Sequence, residues 1–153
     1  MAIRKILKDG DETLRKVCKP VENFDKKLWT LLDDMADTLE KAEGVGLAAP
    51  QVGIVRRAVI INAGEGLYEL INPVILEKSE ETQKVLEGCL SCPDVWGYTV
   101  RPKKVKFKAQ NRHGEWYEKE VTDLFAQAVC HELDHLEGQL FTDVIVEYAQ
   151  PEE

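Results

Sequence analysis

Nothing in the 153-residue sequence approaches the run of apolar residues that a membrane span needs. The first ten residues, MAIRKILKDG, hold three basic residues and one acid but no apolar stretch long enough for the core of a signal peptide. These two absences make the chain read as cytoplasmic, with no membrane partner. Positive charge is also scarce: 20 lysines and arginines face 28 aspartates and glutamates, a formal net charge of −8. Direct nucleic-acid binding needs a basic face to neutralise phosphates, and this balance argues against it. The one basic stretch, RPKKVKFK at 101–108, alternates lysine with valine and phenylalanine, the pattern of a strand with one wet face. Repeats, low-complexity tracts and linkers are missing too. Residues 1–153 therefore read as a single domain, closed by a short, solvated acidic tail over 144–153. Four cysteines (Cys18, Cys89, Cys92 and Cys130) in a chain without a secretion signal fit thiols or metal ligands better than disulfides.

What is present is periodic. Leu28, Leu31, Leu32, Met35, Ala36 and Leu39 recur at three- and four-residue spacing, and Gly44 stands where a helix would stop. The spacing predicts an amphipathic helix over 25–43. The segments 56–62 (RRAVIIN), 68–76 (YELINPVIL), 104–110 (KVKFKAQ) and 115–121 (EWYEKEV) are rich in β-branched and aromatic residues, with NRHG at 111–114 as a hairpin turn. From Thr122 to Glu137 the spacing is helical again, with Thr122 or Asp123 as N-cap and Gly138 just past the end. Helix, then strands, then helix predicts an α+β fold, with antiparallel or mixed sheets packed around the last helix.

That helix carries HELDHLEGQLF at 131–141. Histidines four apart project from one face, about 40° apart at 100° per residue, so His131 and His135 can reach one ion. Glu132 beside them is placed as a general base for a water. A third histidine would fall at 141, but Phe141 is there. Upstream, EGCLSCPD at 87–94 offers a thiolate, and one thiolate with two imidazoles leaves an open coordination position, as catalytic sites require. The rival reading is a closed site of Cys89, Cys92, His131 and His135 in a zinc-stabilised binding module. Against it, an offset of three in an extended segment sends two thiols to opposite faces, and Glu132 would have no task. Cys130 is rotated about 120° from the midpoint of the histidines. Cys89 is thus the favoured ligand, with Cys18, Cys92 and Cys130 as small buried residues. A second enzyme reading, a zincin-like metallopeptidase, shares Glu132 and both histidines but takes a carboxylate or histidine as third ligand.

Three segments together resemble the peptide deformylase family: GVGLAAPQ (44–51), EGCLS (87–91) and HELDHL (131–136), in that family's order. The likeness extends through ETLRKVCKPV, LINP, RPKKVKFKAQNRHGE and GQLFTDVI, nearly the whole chain. It implies a single catalytic domain that hydrolyses the N-formyl group from N-formylmethionyl ends of nascent polypeptides. It implies Cys89, His131 and His135 as ligands of one Fe2+, with Zn2+, Ni2+ or Co2+ as substitutes, and Glu132 as acid and base. It adds Gln51 and the backbone N–H of Leu90 as donors to the tetrahedral oxygen. By matching positions it implies Gly44, Val45, Gly46, Val85, Gly88, Leu124 and Ala128 as substrate-binding residues, and an ion pair between Glu87 and Arg101. Cys92 departs from the aliphatic residue most members carry there. The short stretch after FTDVI leaves no room for a long C-terminal helix, so any ribosome contact is expected to be transient and weak.

Overall fold

The structure is a computed structural model and describes residues 2–149. Eight strands and two α-helices run in the order α1 (Lys26–Ala42), β1 (Gly46–Ala48), β2 (Ala58–Ile61), β3 (Tyr68–Lys78), β4 (Thr82–Cys89), β5 (Cys92–Pro102), β6 (Lys104–Gln110), β7 (Trp116–Thr122), α2 (Asp123–Leu136) and β8 (Glu147–Tyr148). Short 3-10 turns occur at Glu12–Arg15, Ala49–Val52 and Phe141–Asp143. The strands form two antiparallel sheets, β1-β2-β3-β6-β7 and β4-β5-β8. The fold class is α+β.

The five-stranded sheet is covered on both faces. Along β2, Ala58 and Ile60 pack with Leu28, Leu32 and Met35 of α1, while Val59 and Ile61 pack with Phe125, Val129 and Leu133 of α2. Strand alternation divides four consecutive apolar residues between two cores. In β6 the same alternation buries Val105, Phe107 and Ala109 and leaves the lysines outward. α2 also touches β5 of the smaller sheet, so it lies between the two.

Several local features differ from the sequence expectation. β4 and β5, with no counterpart in the predicted strands, form a long hairpin. α1 stops at Ala42, and the left-handed residue that ends it is Glu43 (φ 57°) rather than Gly44. β3 is kinked by a bulge at Asn72, whose side chain bonds Val21 N–H and carbonyl and also Gln110. The tail expected to be solvated over 144–153 is in part structured. Ile145 packs where a Cβ on Gly97 would lie, and Glu147–Tyr148 pair with Gly97–Tyr98 as β8. Residues 150–153 lie outside the described range.

Candidate active site

β4 ends at Cys89, the chain turns through Leu90 and Ser91, and β5 begins at Cys92 directly opposite. The expectation of thiols on opposite faces presumed an extended segment. The turn reverses the chain and places both on one face of the ladder. On α2, His131 and His135 lie one turn apart and are both buried. The sulfur of Cys89 and one nitrogen from each imidazole all lie within 4.8 Å of one another, and Cys89 Sγ is 3.4 Å from His135 Nε2. Cys92 is outside this set, and among the described residues no other such group occurs. Phe141, in the place of a third histidine, stacks on the His131 ring with centroids 5.8 Å apart.

A buried ion network orients His131. Glu87 accepts from Thr99 Oγ1 (2.5 Å), from Arg101 Nε (2.7 Å) and Nη2 (2.9 Å), and from His131 Nδ1 (2.8 Å). Arg101 also donates to Asp134 at 2.9 Å. Burial would raise the pKa of Glu87, but Arg101 and His131 outweigh it and hold it at about 2. An ionised carboxylate only accepts, so His131 Nδ1 carries a proton and Nε2 is the nitrogen left for an ion. Burial opposes charge on the ring, but Glu132 and Glu87 outweigh it and raise its pKa, so an ion would displace a proton from Nε2. Burial and the neighbouring His131 push His135 well below its ordinary value, which keeps that imidazole neutral. Contact with Cys92 and burial raise the Cys89 thiol in the chain alone.

Glu132 is buried, and its Oε1 has no hydrogen-bond partner in the protein; the same holds for His135 Nδ1. Desolvation lifts the Glu132 carboxyl to about 7. Its position depends on Gly46, since a Cβ there would stand 2.7 Å from Glu132 Oε2. Gln51 is buried in the turn after β1; its Oε1 accepts from Ala48 N–H, and its Nε2 points at Ser91 Oγ (3.1 Å) and Cys89 Sγ (3.6 Å). Lys8 Nζ donates to the Leu90 carbonyl.

These groups floor a cleft of about 630 Å³. Gly44, Val45, Gly46, Gly88, Leu90, Leu124 and Ala128 line it; Val85 does not. Val85 lies on the opposite face of β4 from Leu86, which does line the cleft with Trp96 and Gln127. Sequence reasoning missed these three and gave no task to Ser91 or Lys8. Ser91 stood inside the EGCLS segment, but nothing in its spacing marked a hydroxyl that would face Gln51.

The family model for polypeptide deformylase matches residues 3–150. The chain belongs to the polypeptide deformylase family. It is 54% identical over 153 residues to a peptide deformylase of Caldicellulosiruptor bescii, covering 100% of this chain and 92% of that one. It is 56% identical over 147 residues to peptide deformylase 1 of Clostridium acetobutylicum, covering 96% and 97%. Its fold superposes on the crystal structure of peptide deformylase from Thermotoga maritima with a TM-score of 0.92 and 43% identity, over 94% of this chain and 97% of that one. The chain is accordingly a hydrolase of protein biosynthesis that removes the N-formyl group from N-formylmethionyl termini of nascent polypeptides, releasing formate. The family is metal-dependent, and the Cys89, His131 and His135 cluster is a possible site for the ion.

Proposed function

We propose that Cys89, His131 and His135 hold one divalent cation, and that Glu132, Gln51 and the Leu90 N–H act on the substrate beside it. The observation that carries this reading is the approach of one thiol and two imidazoles to within 4.8 Å of one another, with Glu132 and His135 retaining buried polar atoms that no protein group satisfies. Such orphans are costly in a dry interior; an ion-bound water would satisfy Glu132 Oε1, whereas an ion would take His135 through Nε2, the nitrogen beside Cys89, and leave Nδ1 to solvent. A thiolate with two neutral imidazoles suits iron(II) and zinc alike; the family resemblance favours iron(II), with nickel or cobalt as further substitutes. The ion would polarise the formyl oxygen and lower the pKa of a water.

The protein groups supply the rest. Burial lifts the Glu132 carboxyl in the chain alone and a bound cation would draw it down again, so its carboxylate form takes a proton from the attacking water and returns it to the departing amine. Gln51 Nε2, fixed through the bond of its Oε1 to Ala48, donates to the oxygen that becomes negative, with the Leu90 N–H as second donor. β1 is an edge strand, so a peptide can pair along Gly44–Gly46 while its methionine side chain enters the slot of Val45, Leu124, Ala128 and the His131 ring. The net charge of −8 disfavours lasting contact with ribosomal RNA, so the nascent chain is met transiently. Free thiols fit a reducing cytoplasm.

Metal analysis combined with release of formate from a formyl-Met peptide tests the assignment. Cys89→Ala is expected to lose both metal and activity, whereas Glu132→Ala keeps the metal and loses about 10²–10⁴ in rate. Full metal occupancy in Cys89→Ala would overturn the ligand set.

A further inference from the structure

We propose that Cys89 and Cys92 form a reversible thiol pair that hydroperoxides close to a disulfide across the hairpin turn. The inference rests on the reading of Cys89 as a metal ligand only for its consequence, loss of the ion. The bond itself follows from the ladder.

Cys89 and Cys92 are directly opposed residues of β4 and β5 with only Leu90 and Ser91 between them. Opposed residues of an antiparallel pair have Cα atoms about 4.5 or 5.5 Å apart, inside the range of about 4.4–6.8 Å that a disulfide spans. Both are free thiols. The other two cysteines, Cys18 and Cys130, belong to a different core, so neither competes. Exposure differs between the pair in a useful way. Cys89 is half-buried and lines the open cleft, where a small oxidant can reach it. Cys92 is buried against Leu14, Leu140 and Phe141, with Cys89 packed against the same cluster, so it is held facing Cys89 and shielded from the bulk. The first thiol is placed to be attacked and the second to resolve.

The chemistry balances with hydrogen peroxide as the oxidant. The Cys89 sulfur attacks one peroxide oxygen, the O–O bond breaks, the departing hydroxide takes the Cys89 proton as water, and a sulfenic acid remains. The Cys92 sulfur then attacks that sulfur, the S–O bond breaks, and the released hydroxide takes the Cys92 proton as water. Two thiols and one peroxide give one disulfide and two waters, with sulfur oxidised and oxygen reduced. A sulfur bound to Cys92 no longer offers a thiolate to the His131 and His135 pair, so the ion leaves. Cys92 also intercepts the sulfenic acid before it is carried to the irreversible sulfinic and sulfonic states.

The zinc-loaded enzyme is the sample for the test, because zinc has no redox chemistry of its own. Limited hydrogen peroxide is expected to remove two of the four thiols, to lower the mass of the 85–103 tryptic peptide by two hydrogens, and to release zinc to a colorimetric chelator. Dithiothreitol should then restore thiols, zinc uptake and turnover. Cys92→Val, a near-isosteric change, should keep the basal turnover but gain oxygen atoms at Cys89 that dithiothreitol does not reverse. Oxygen additions at Cys89 in the wild type, without the two-hydrogen loss, would overturn the proposal whatever the zinc does. A disulfide formed with zinc fully retained would uphold the thiol pair and instead overturn Cys89 as a ligand.

Discussion

Glu87 is almost fully buried yet accepts from Thr99, Arg101 and His131, and its charge is what the surrounding donors require. Its pKa falls from an ordinary 4.5 to about 2 in the fold. A carboxyl held below its unfolded value contributes stability that is complete above about 4.5 and disappears as the pH falls toward 2. Glu87→Gln is expected to lower the unfolding free energy of the chelated protein by about 3 kcal/mol at neutral pH, the order for removing one side of a buried ion pair. The difference from wild type should shrink as the pH drops from 5 toward 3, where wild-type Glu87 is itself becoming protonated; urea melts at each pH measure it. A difference unchanged across that window would mean that Glu87 is not held ionised. Gln51 has two separable tasks. Gln51→Leu leaves the buried Ala48 N–H without its acceptor, a cost of about 1–3 kcal/mol in stability. It should also lose about 10²–10³ in turnover at temperatures where the variant is still folded, if Nε2 is an oxyanion donor.

The end of α2 depends on a glycine for a reason visible only in three dimensions. Gly138 has φ +75°, and a Cβ there would come 2.5 Å from the Arg15 carbonyl oxygen, a backbone atom that cannot swing away. Gly138→Ala is expected to cost about 2–4 kcal/mol, from the strained φ and overpacking together, read as a lower urea midpoint. Because Arg15 is the last residue of the turn at Glu12–Arg15, the effect should reach the N-terminal segment, which a purely helical end effect would not. The helices themselves were legible in the sequence: the spacing of Leu28 to Leu39 and of Thr122 to Glu137 matches Lys26–Ala42 and Asp123–Leu136 within a residue or so at each end. The alternation of β6 was equally plain. β4 and β5 were not, because their polarity is inverted. Glu87, Thr99 and Arg101 face inward into the network, while Leu86, Trp96 and Val100 face solvent. A period-2 reading that expects apolar residues inside finds no strand there. The same hairpin explains the misjudged cysteine geometry: the two-residue turn of Leu90 and Ser91 holds no glycine, proline, asparagine or aspartate, and one serine does not distinguish it from an extended run. Val85 was assigned to the cleft by position, and the pleat of β4 gives that place to Leu86.

At the scale of the molecule, the two sheets meet through α2, and the candidate metal cluster spans that junction. Cys89 belongs to the three-stranded sheet, whereas His131 and His135 belong to the helix packed on the five-stranded one. The Glu87, Arg101, Asp134 and His131 network crosses the same boundary. A bound ion would therefore act as a second cross-link between sheets, beyond its chemistry. Ligand binding to the folded state alone stabilises it by about 2.7 kcal/mol at a hundredfold excess over Kd, which for a chain of this length is roughly 5–10 °C in melting temperature. Chelation should lower the melting temperature by that order, and re-addition of zinc should restore it. The loss should also be local. Hydrogen exchange is expected to quicken in β4, β5 and β8 and to stay slow in β2, β3 and β6, whose packing between α1 and α2 involves none of the ligands. Uniform acceleration across both sheets would show instead that the ion stabilises the whole core as one unit, and that the smaller sheet is not held to the helix through Cys89.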